Sequence, residues 1–485
     1  MPACSAMIAI LHIDCCSVLD MTVVNVALPS IQSALHFSQS SLAWVVNAYL
    51  IAFGGLLLLA GRLGDLLGRR RLFLAGLVVF TAASLVCGLA TSQAMLIGAR
   101  FLQGAGGAMT SAVILGMIVT MFTEPREQAK AIGVYAFVAS AGGAVGLLAG
   151  GVLTQLLNWH WIFFVNLPIG VATMVLTRRV IKPDAPAHGG GRADVPGALL
   201  ITGAMMLSVY TIVDPAAQLG WLAGRTLLLG GVSIALLAGF VARQASARQP
   251  LMPLRILRSR NLTGANLVQM LGTAGMFGLF FLGSLYLRQI LGYDPLRIGL
   301  AFLPVTVVMG TLSVRYTDRL IGRFGTRRLV FAGLAMIAAG LVIFTQIQAG
   351  GSYLTGIFPA AMLIGAGAGT CFPALMTLGM SGATQADAGL ASGLLNTTGQ
   401  VGGALGLAVL ATVSASRSGS LIAHGSPAAA ALTDGYRLAF WIAFGAVLAA
   451  IVVGAVVLRP ERRLQPVITE SLPDRELATV CSEAA

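Results

Sequence analysis

The chain has 485 residues, of which 57% are hydrophobic and only 10% charged, with a mean hydropathy of +0.88. Soluble domains carry about 25% charged residues, and no soluble core could hide this much apolar surface, so the composition is that of an all-α polytopic membrane protein. The net charge of +13 could serve nucleic acid in a soluble chain, but its placement along the sequence speaks against nucleic acid.

In chain order, fourteen apolar spans are expected near 7–28, 42–60, 72–91, 95–121, 130–153, 161–178, 197–214, 224–243, 262–286, 297–315, 328–347, 353–378, 392–413 and 436–458. Most hold the roughly 20 apolar residues a bilayer requires. With a cytoplasmic N-terminus, most of the 30 Lys and Arg residues fall in cytoplasmic loops and the tail. Arg225, Arg288, Arg297, Arg417 and Arg437 fall outside, and Arg100 lies within a span. That asymmetry places both termini in the cytoplasm, in a plasma or inner membrane, where the positive charge also meets anionic lipid headgroups. The start offers no convincing cleavable signal, so the first span is read as retained. Cys4, Cys15, Cys16, Cys87, Cys371 and Cys481 show neither disulfide nor metal-ligand spacing.

Span one carries Asp20. A carboxylate near the bilayer interior costs about 2.5–3.5 kcal/mol on insertion scales, so it is expected to face a cavity or a partner. Burial disfavours its charged form, so a proton could be exchanged there; a permanently protonated acid serving only helix packing is the competing reading. His12 and Asp14, near the inner end of the same span, are either a second titrating pair or a water-exposed helix end. Asn25 in span one and Trp44, Asn47 and Tyr49 in span two are candidate substrate-cavity residues.

Between spans two and three, Gly61 to Phe73 reads GRLGDLLGRRRLF. Asp65 stands among Arg62, Arg69, Arg70 and Arg71, while Gly61, Gly64 and Gly68 free the backbone to turn. An acid among bases in a short inter-helix loop points to a latch between helices, with Gly61, Asp65, Gly68, Arg69 and Arg70 as its parts. Span four carries Arg100, with Gln103, Gly104 and Gly107 three, four and seven residues on, on one helical face. Its guanidinium stays charged and needs a carboxylate, a carbonyl cluster or water. Steering a proton or holding an anion competes with structural pairing as its role, and Gln103 joins the cavity candidates. In span five, Gly142, Gly146 and Gly150 recur four apart, with Gly143 and Gly151 beside them, a spacing that lets helices approach closely or slide.

The second half repeats the first roughly 260 residues on. GRRRLFLAGL (Gly68 to Leu77) matches GTRRLVFAGL (Gly325 to Leu334), GAGGA (Gly104 to Ala108) resembles GAGAG (Gly365 to Gly369), and GGAVGL (Gly142 to Leu147) matches GGALGL (Gly402 to Leu407). Spans one to six therefore correspond to spans nine to fourteen in the same orientation, with spans seven and eight as an insert. The expected plan is a six-helix bundle over 1–180, the two-helix insert and a cytoplasmic connector over 181–260, a second six-helix bundle over 261–458, and a cytoplasmic tail over 459–485. The substrate route is expected between the bundles. Asn266, Gln269, Asn396 and Gln400 are its candidate contacts in the second half. Ala361 occupies the position equivalent to Arg100 and span nine has no acid, which concentrates the ionisable machinery in the first half.

These motifs resemble the major facilitator superfamily, and within it the fourteen-helix drug:proton antiporter family (EmrB/QacA-like). GRLGDLLGRRRLF is similar to its loop-two signature, LIGARFLQGAGGA (Leu96 to Ala108) to its span-four signature and LDMTVVNVALPSI (Leu19 to Ile31) to its span-one signature; NWHWIFFVNLPIG (Asn158 to Gly170) and AGLASGLLNTTGQVGGALG (Ala388 to Gly406) also resemble branch signatures. The resemblance implies a major facilitator fold, proton coupling through Asp20 and Arg100, and an antiporter motif of Gly142, Gly146, Gly150 and Gly151. Two positions depart from the pattern: Leu147 stands where a proline usually follows the second glycine, and His160 where arginine is common.

The reading is a proton-coupled exporter of amphipathic, often cationic small molecules, working by alternating access. A dedicated exporter of a single metabolite, antibiotic or siderophore is the alternative. Its expected partners are substrate, protons and lipids, with an outer-membrane or periplasmic partner left open and no cofactor or metal expected. Against an enzyme, no HExxH, GxSxG, His or Asp cluster or nucleotide loop occurs; no soluble sensor domain argues for a receptor, and the two-bundle repeat disfavours a channel.

Overall fold

The computed structural model describes residues 2–121, 124–181, 193–381 and 388–459, and among these every regular element is helical. In chain order the long helices are α1 (Pro2–Leu35), α2 (Gln39–Leu67), α3 (Arg69–Gly88), α4 (Gln93–Met121), α5 (Pro125–Leu156), α6 (Trp161–Val180), α7 (Val195–Leu219), α8 (Gly224–Ser246), α9 (Arg260–Gln289), α10 (Pro295–Phe324), α11 (Thr326–Phe344), α12 (Tyr353–Met380), α13 (Ala388–Ala423) and α14 (Ala428–Val457). Among the described residues, 12 helices are long and apolar enough to cross a membrane. The side chains of His12, Asp14, Cys4, Cys15 and Cys16, the segment His188 to Arg192 and the tail after Arg459 lie outside the described residues.

Single residues set the breaks between helices. Gly68 ends α2 and begins α3 at φ 94°, and Gly325 does the same between α10 and α11 at φ 84°, a conformation that glycine reaches without a Cβ penalty. Asp294 caps α10 by accepting from Arg297 N at 2.8 Å, with Pro295 at the first helical position where its missing N–H is not needed. α7 widens into a π-helical turn over Ile212–Ala216, which contains Pro215. Thr412 Oγ1 on α13 donates to the Ile212 carbonyl there at 3.2 Å.

The sequence repeat reappears as a repeat of contacts. α1 meets α5 where Gly146 and Gly150 face Leu19 and Val23, and α9 meets α13 where Gly402 and Gly406 face Met270 and Ala274. Gly104 of α4 lies on the Tyr49 carbonyl of α2, as Gly365 of α12 lies on the Val305 carbonyl of α10. Gly76 and Gly106 bring α3 and α4 together, as Gly333 and Gly367 do for α11 and α12. Arg70 Nη2 donates to the carbonyl of Arg178 at the end of α6 (2.9 Å), and Arg327 Nη2 to that of Ala455 at the end of α14 (3.2 Å). Small residues recur because in lipid helix association rests on dispersion and close backbone approach, with no hydrophobic drive.

The two halves meet along α2 with α13 and α5 with α10. On the face away from the Asp65 loop, Gln39 Nε2 donates to Ser414 Oγ (3.1 Å), Gln289 Nε2 to Gln32 Oε1 (3.1 Å) and Leu296 N to Gln155 Oε1 (3.2 Å). α7 packs on α2 through Gly55 and Thr202, and α8 packs on α7, where the Ser208 and Ser233 hydroxyls bond. The outer face of α8, with Leu228 and Ile234, is left exposed.

The insert is clamped at its loop-side end. Buried Asp194 caps α7 through Gly197 N (3.2 Å) and accepts from Arg243 Nε (3.0 Å) and Gln244 Nε2 (2.9 Å) of α8. Gln244 Oε1 in turn holds Met252 N of the connector at 3.0 Å. Burial pushes the Asp194 carboxyl up, but the Gln244, Arg243 and Gly197 donors together outweigh it and hold the carboxyl below its ordinary 3.8. A depressed folded value means this stabilisation is present above about pH 4 and is lost as pH falls through the lowered value. Thermal melting of Asp194→Asn is therefore expected to lie below wild type at pH 7, with the gap closing as both are acidified below about pH 4; a gap independent of pH would refute it.

Candidate functional site

Five helices of the first half bring a polar network together inside the bundle. α1 supplies Asp20, α4 Arg100 and Gln103, α6 Asn166, α3 Ser84, and α2 the Val45 carbonyl and the Tyr49 ring. Arg100 Nη1 is paired with Asp20 Oδ2 and donates to Gln103 Oε1 (2.7 Å), while Nε donates to the Val45 carbonyl (2.9 Å). Asp20 Oδ1 accepts from Gln103 Nε2 (2.8 Å) and Asn166 Nδ2 (3.1 Å). Gln103 Nε2 also reaches Ser84 Oγ (2.8 Å), which donates to the Phe80 carbonyl (2.8 Å). The guanidinium lies over the Tyr49 ring at 4.5 Å, and the Phe163 ring stands at 5.9 Å, distances at which a desolvated cation gains from an aromatic face.

Asp20 is 0% exposed and Arg100 1%. Every neighbour of Asp20 is a donor, the set an ionised carboxylate needs. Both groups are buried in the bundle interior, where such a pair is favourable only while both partners are present and bonded. Removing either partner would leave the other as an uncompensated buried group, so the pair ties together α1, α2, α4 and α6, the helices that carry its bonding partners.

The expectation that Asp20 faces a cavity or a partner is met by the partner. Tyr49 and Gln103, expected in the substrate cavity, join the ion-pair network. Asn25 donates to the Met21 carbonyl of its own helix (2.9 Å). Asn266 donates to Leu262 O (2.8 Å) and accepts from Thr398 Oγ1 (2.7 Å), joining α9 to α13. Gln269 packs on Gly399, and Asn396 is exposed. Trp44 lies between α2, α4 and α7. Asn47 is fully buried with neither amide atom partnered among the described residues, and Gln400 Oε1 and Thr397 Oγ1 are likewise unpartnered. Gln400 and Thr397 lie on α13 against Gly54, on the seam between the halves. Buried polar atoms of this kind call for water or a ligand.

The expected loop is a single-residue junction at Gly68: Asp65, in the last turn of α2, pairs with Arg69, the first residue of α3, at 3.5 Å, and Arg69 Nη1 donates to the Gly116 carbonyl of α4 at 2.7 Å. Arg62 Nη2 reaches Gln249 Oε1 of the connector at 3.1 Å, and Gly61 has open space around it. Gly142 is buried; Gly146 and Gly150 face α1, whereas Gly151 faces Pro295 and Leu296 of α10. His160 Nδ1 meets the Gly88 carbonyl at 2.8 Å. Sequence reasoning missed Ser84 and Asn166. Asn166 was findable, since it is an amide within an apolar span; a serine in α3 carries no such signal. Among the described residues no group of His, Cys, Asp and Glu gathers where a metal could sit.

A helical fold built twice over, with a buried ion pair in its leading half, is that of a membrane transporter. The chain belongs to the Major Facilitator Superfamily, matched over residues 13–407. It is 39% identical over 461 residues to the puromycin resistance protein pur8 of Streptomyces alboniger, covering 93% of this chain and 90% of that protein. It is 41% identical over 413 residues to the cephamycin export protein CmcT of Amycolatopsis lactamdurans, covering 85% and 84%. Among solved structures, an inward-facing bacterial homologue of the lysosomal transporter Spinster superposes with TM-score 0.66 at 14% identity over 94% of this chain and 97% of that one. A POT family transporter, PepTSo, superposes with TM-score 0.68 at 17% identity over 93% and 97%; both likenesses concern the fold alone.

Proposed function

We propose that this chain is a proton-coupled efflux transporter that exports amphipathic, often cationic small molecules across the cell membrane by alternating access. The observation that carries the reading is the Asp20–Arg100 pair, buried within one half and bonded to the Gln103 and Asn166 side chains and the Val45 carbonyl. Protonation of Asp20 breaks the pair and shifts α1 and α4, while the unpartnered amides of Asn47 and Gln400 are candidate contacts for substrate or its water. The Asp65–Arg69 loop, tied to α4 and the connector, latches the loop-side gate. The 12 apolar spans, together with α1 of 34 residues and α5 of 32, support the fourteen-helix drug:proton antiporter plan. The arginine distribution supports cytoplasmic termini.

A narrower cargo is the second reading, favoured by relatives named for one antibiotic each, puromycin and cephamycin. Expression in an efflux-deficient host, challenged with a panel of toxic compounds with and without an uncoupler, separates the two. Protection against many chemical classes, lost with the uncoupler, is the expected result. Protection against one compound alone favours the dedicated exporter, and protection insensitive to the uncoupler removes proton coupling.

A further inference from the structure

Outside the ion-pair network, one pocket of about 450 Å³ opens between the first half and the insert. Its walls are Trp44 of α2, Ile97 of α4, and Gly203, Met206, Leu207 and Tyr210 of α7. No residue of α9 to α14 contributes, so it lies to the side of the seam on which alternating access would turn. Small-molecule sites have this size, this apolar lining and few polar groups, and methionine adapts its shape to what it meets.

The polar groups are specific. Tyr210 Oη accepts from Arg225 Nη2 at 3.2 Å and keeps its own proton to donate. Trp44 is half-buried in the pocket wall, so its indole N–H is a second neutral donor that a bound molecule can use. Four residues beyond Tyr210, on the π turn, Asp214 is taken up by Gln218 Nε2 at 2.7 Å. No lining residue is charged, so nothing in the wall attracts an ion, while the neutral donors ask for an oxygen acceptor.

We propose that this pocket is a lateral binding site for a neutral, planar aromatic compound bearing a carbonyl or hydroxyl oxygen, taken from the bilayer. The ring lies against Trp44, Ile97, Met206 and Leu207, and the oxygen accepts from Tyr210 or Trp44. The inference does not depend on the exporter reading, because it concerns binding alone. Gly203 gives the means to test it: it lines the pocket and a Cβ added there meets no atom within 4 Å, so Gly203→Phe starts into the pocket from an open position and puts a ring in its space.

The probe is the neutral naphthyl ketone Prodan, followed by energy transfer from tryptophan in full-length protein held in nanodiscs. Wild type is expected to bind it saturably. Gly203→Phe should weaken binding by about tenfold or more, since the ring space is gone, and Tyr210→Phe by about three- to tenfold through one lost hydrogen bond. Size-exclusion elution checks the fold, and should Gly203→Phe fail it, Met206→Trp fills the same space and decides instead. Uptake that rises linearly and equally in protein-free discs would mean lipid partitioning only. Saturable binding left unchanged by the filling variant would place the probe elsewhere. Either result overturns the proposal.

Discussion

Asp20→Asn is expected to abolish coupled transport and to destabilise the protein together. The substitution keeps shape and volume but replaces a carboxylate oxygen, paired with Arg100, by an N–H donor aimed at a cation. The guanidinium is 1% exposed, so it has no water to fall back on, and breaking a buried pair from one side costs about 3–5 kcal/mol. Were Asp20 permanently protonated and present only for packing, asparagine would imitate it closely and both properties would survive. The double variant Asp20→Asn with Arg100→Gln separates the two roles. It removes the stranded charge, so most of the lost stability should return, because exchanging a whole buried pair for neutral groups is often near neutral. Coupled transport should not return, since neither remaining group changes charge with pH. Thermal melting in detergent and pH-gradient-driven transport in proteoliposomes give the two readouts; a single variant that melts and transports like wild type would refute the assignment.

The helices and the repeat were legible because they rest on one-dimensional signals: apolar runs of membrane length, glycine and arginine punctuation, and recurring motifs. Gly68 and Gly325 were marked by the loop motif before their positive φ was known, and the Gln103 face of α4 followed from helical spacing. The partner of Asp20 was not legible, because Asp20 and Arg100 lie 80 positions apart and only packing selects Arg100 from the other candidates. The same reason hid the surroundings of Trp44: which side of α2 meets the insert depends on where α7 docks, and nothing in the α2 sequence records that. Leu147 looked like a loss of the expected proline; its surroundings give it another meaning.

Leu147 is fully buried on α5, and its carbonyl lies against Gly299 of α10, so closely that a Cβ on Gly299 would overlap it. One turn along, Gly151 faces Pro295 O and Leu296 Cα, each 2.9 Å from where its own Cβ would stand. The two halves thus close on each other through a glycine from each side, and α5 carries no proline within its length beyond its first turn. Gly299→Leu is expected to hold these helices apart on the face away from the Asp65 loop. Because the overlap lies between the halves and not inside either, the stability loss should stay within the about 1–3 kcal/mol typical of overpacking, while transport falls at least about tenfold, since closure of this face is one limb of the cycle. Gly445→Leu, at a position with no atom within 4 Å of the added carbon, is the control and should transport normally. The geometry can be read directly by cross-linking a Gln155→Cys and Leu296→Cys pair with a short bifunctional maleimide in a background whose native cysteines are serine, because the Gln155 side chain reaches Leu296 N at 3.2 Å when this face is shut. Cross-linking should be fast with glycine at 299 and slow with leucine. Equal cross-linking rates together with full transport would show that this glycine pair does not set the closure.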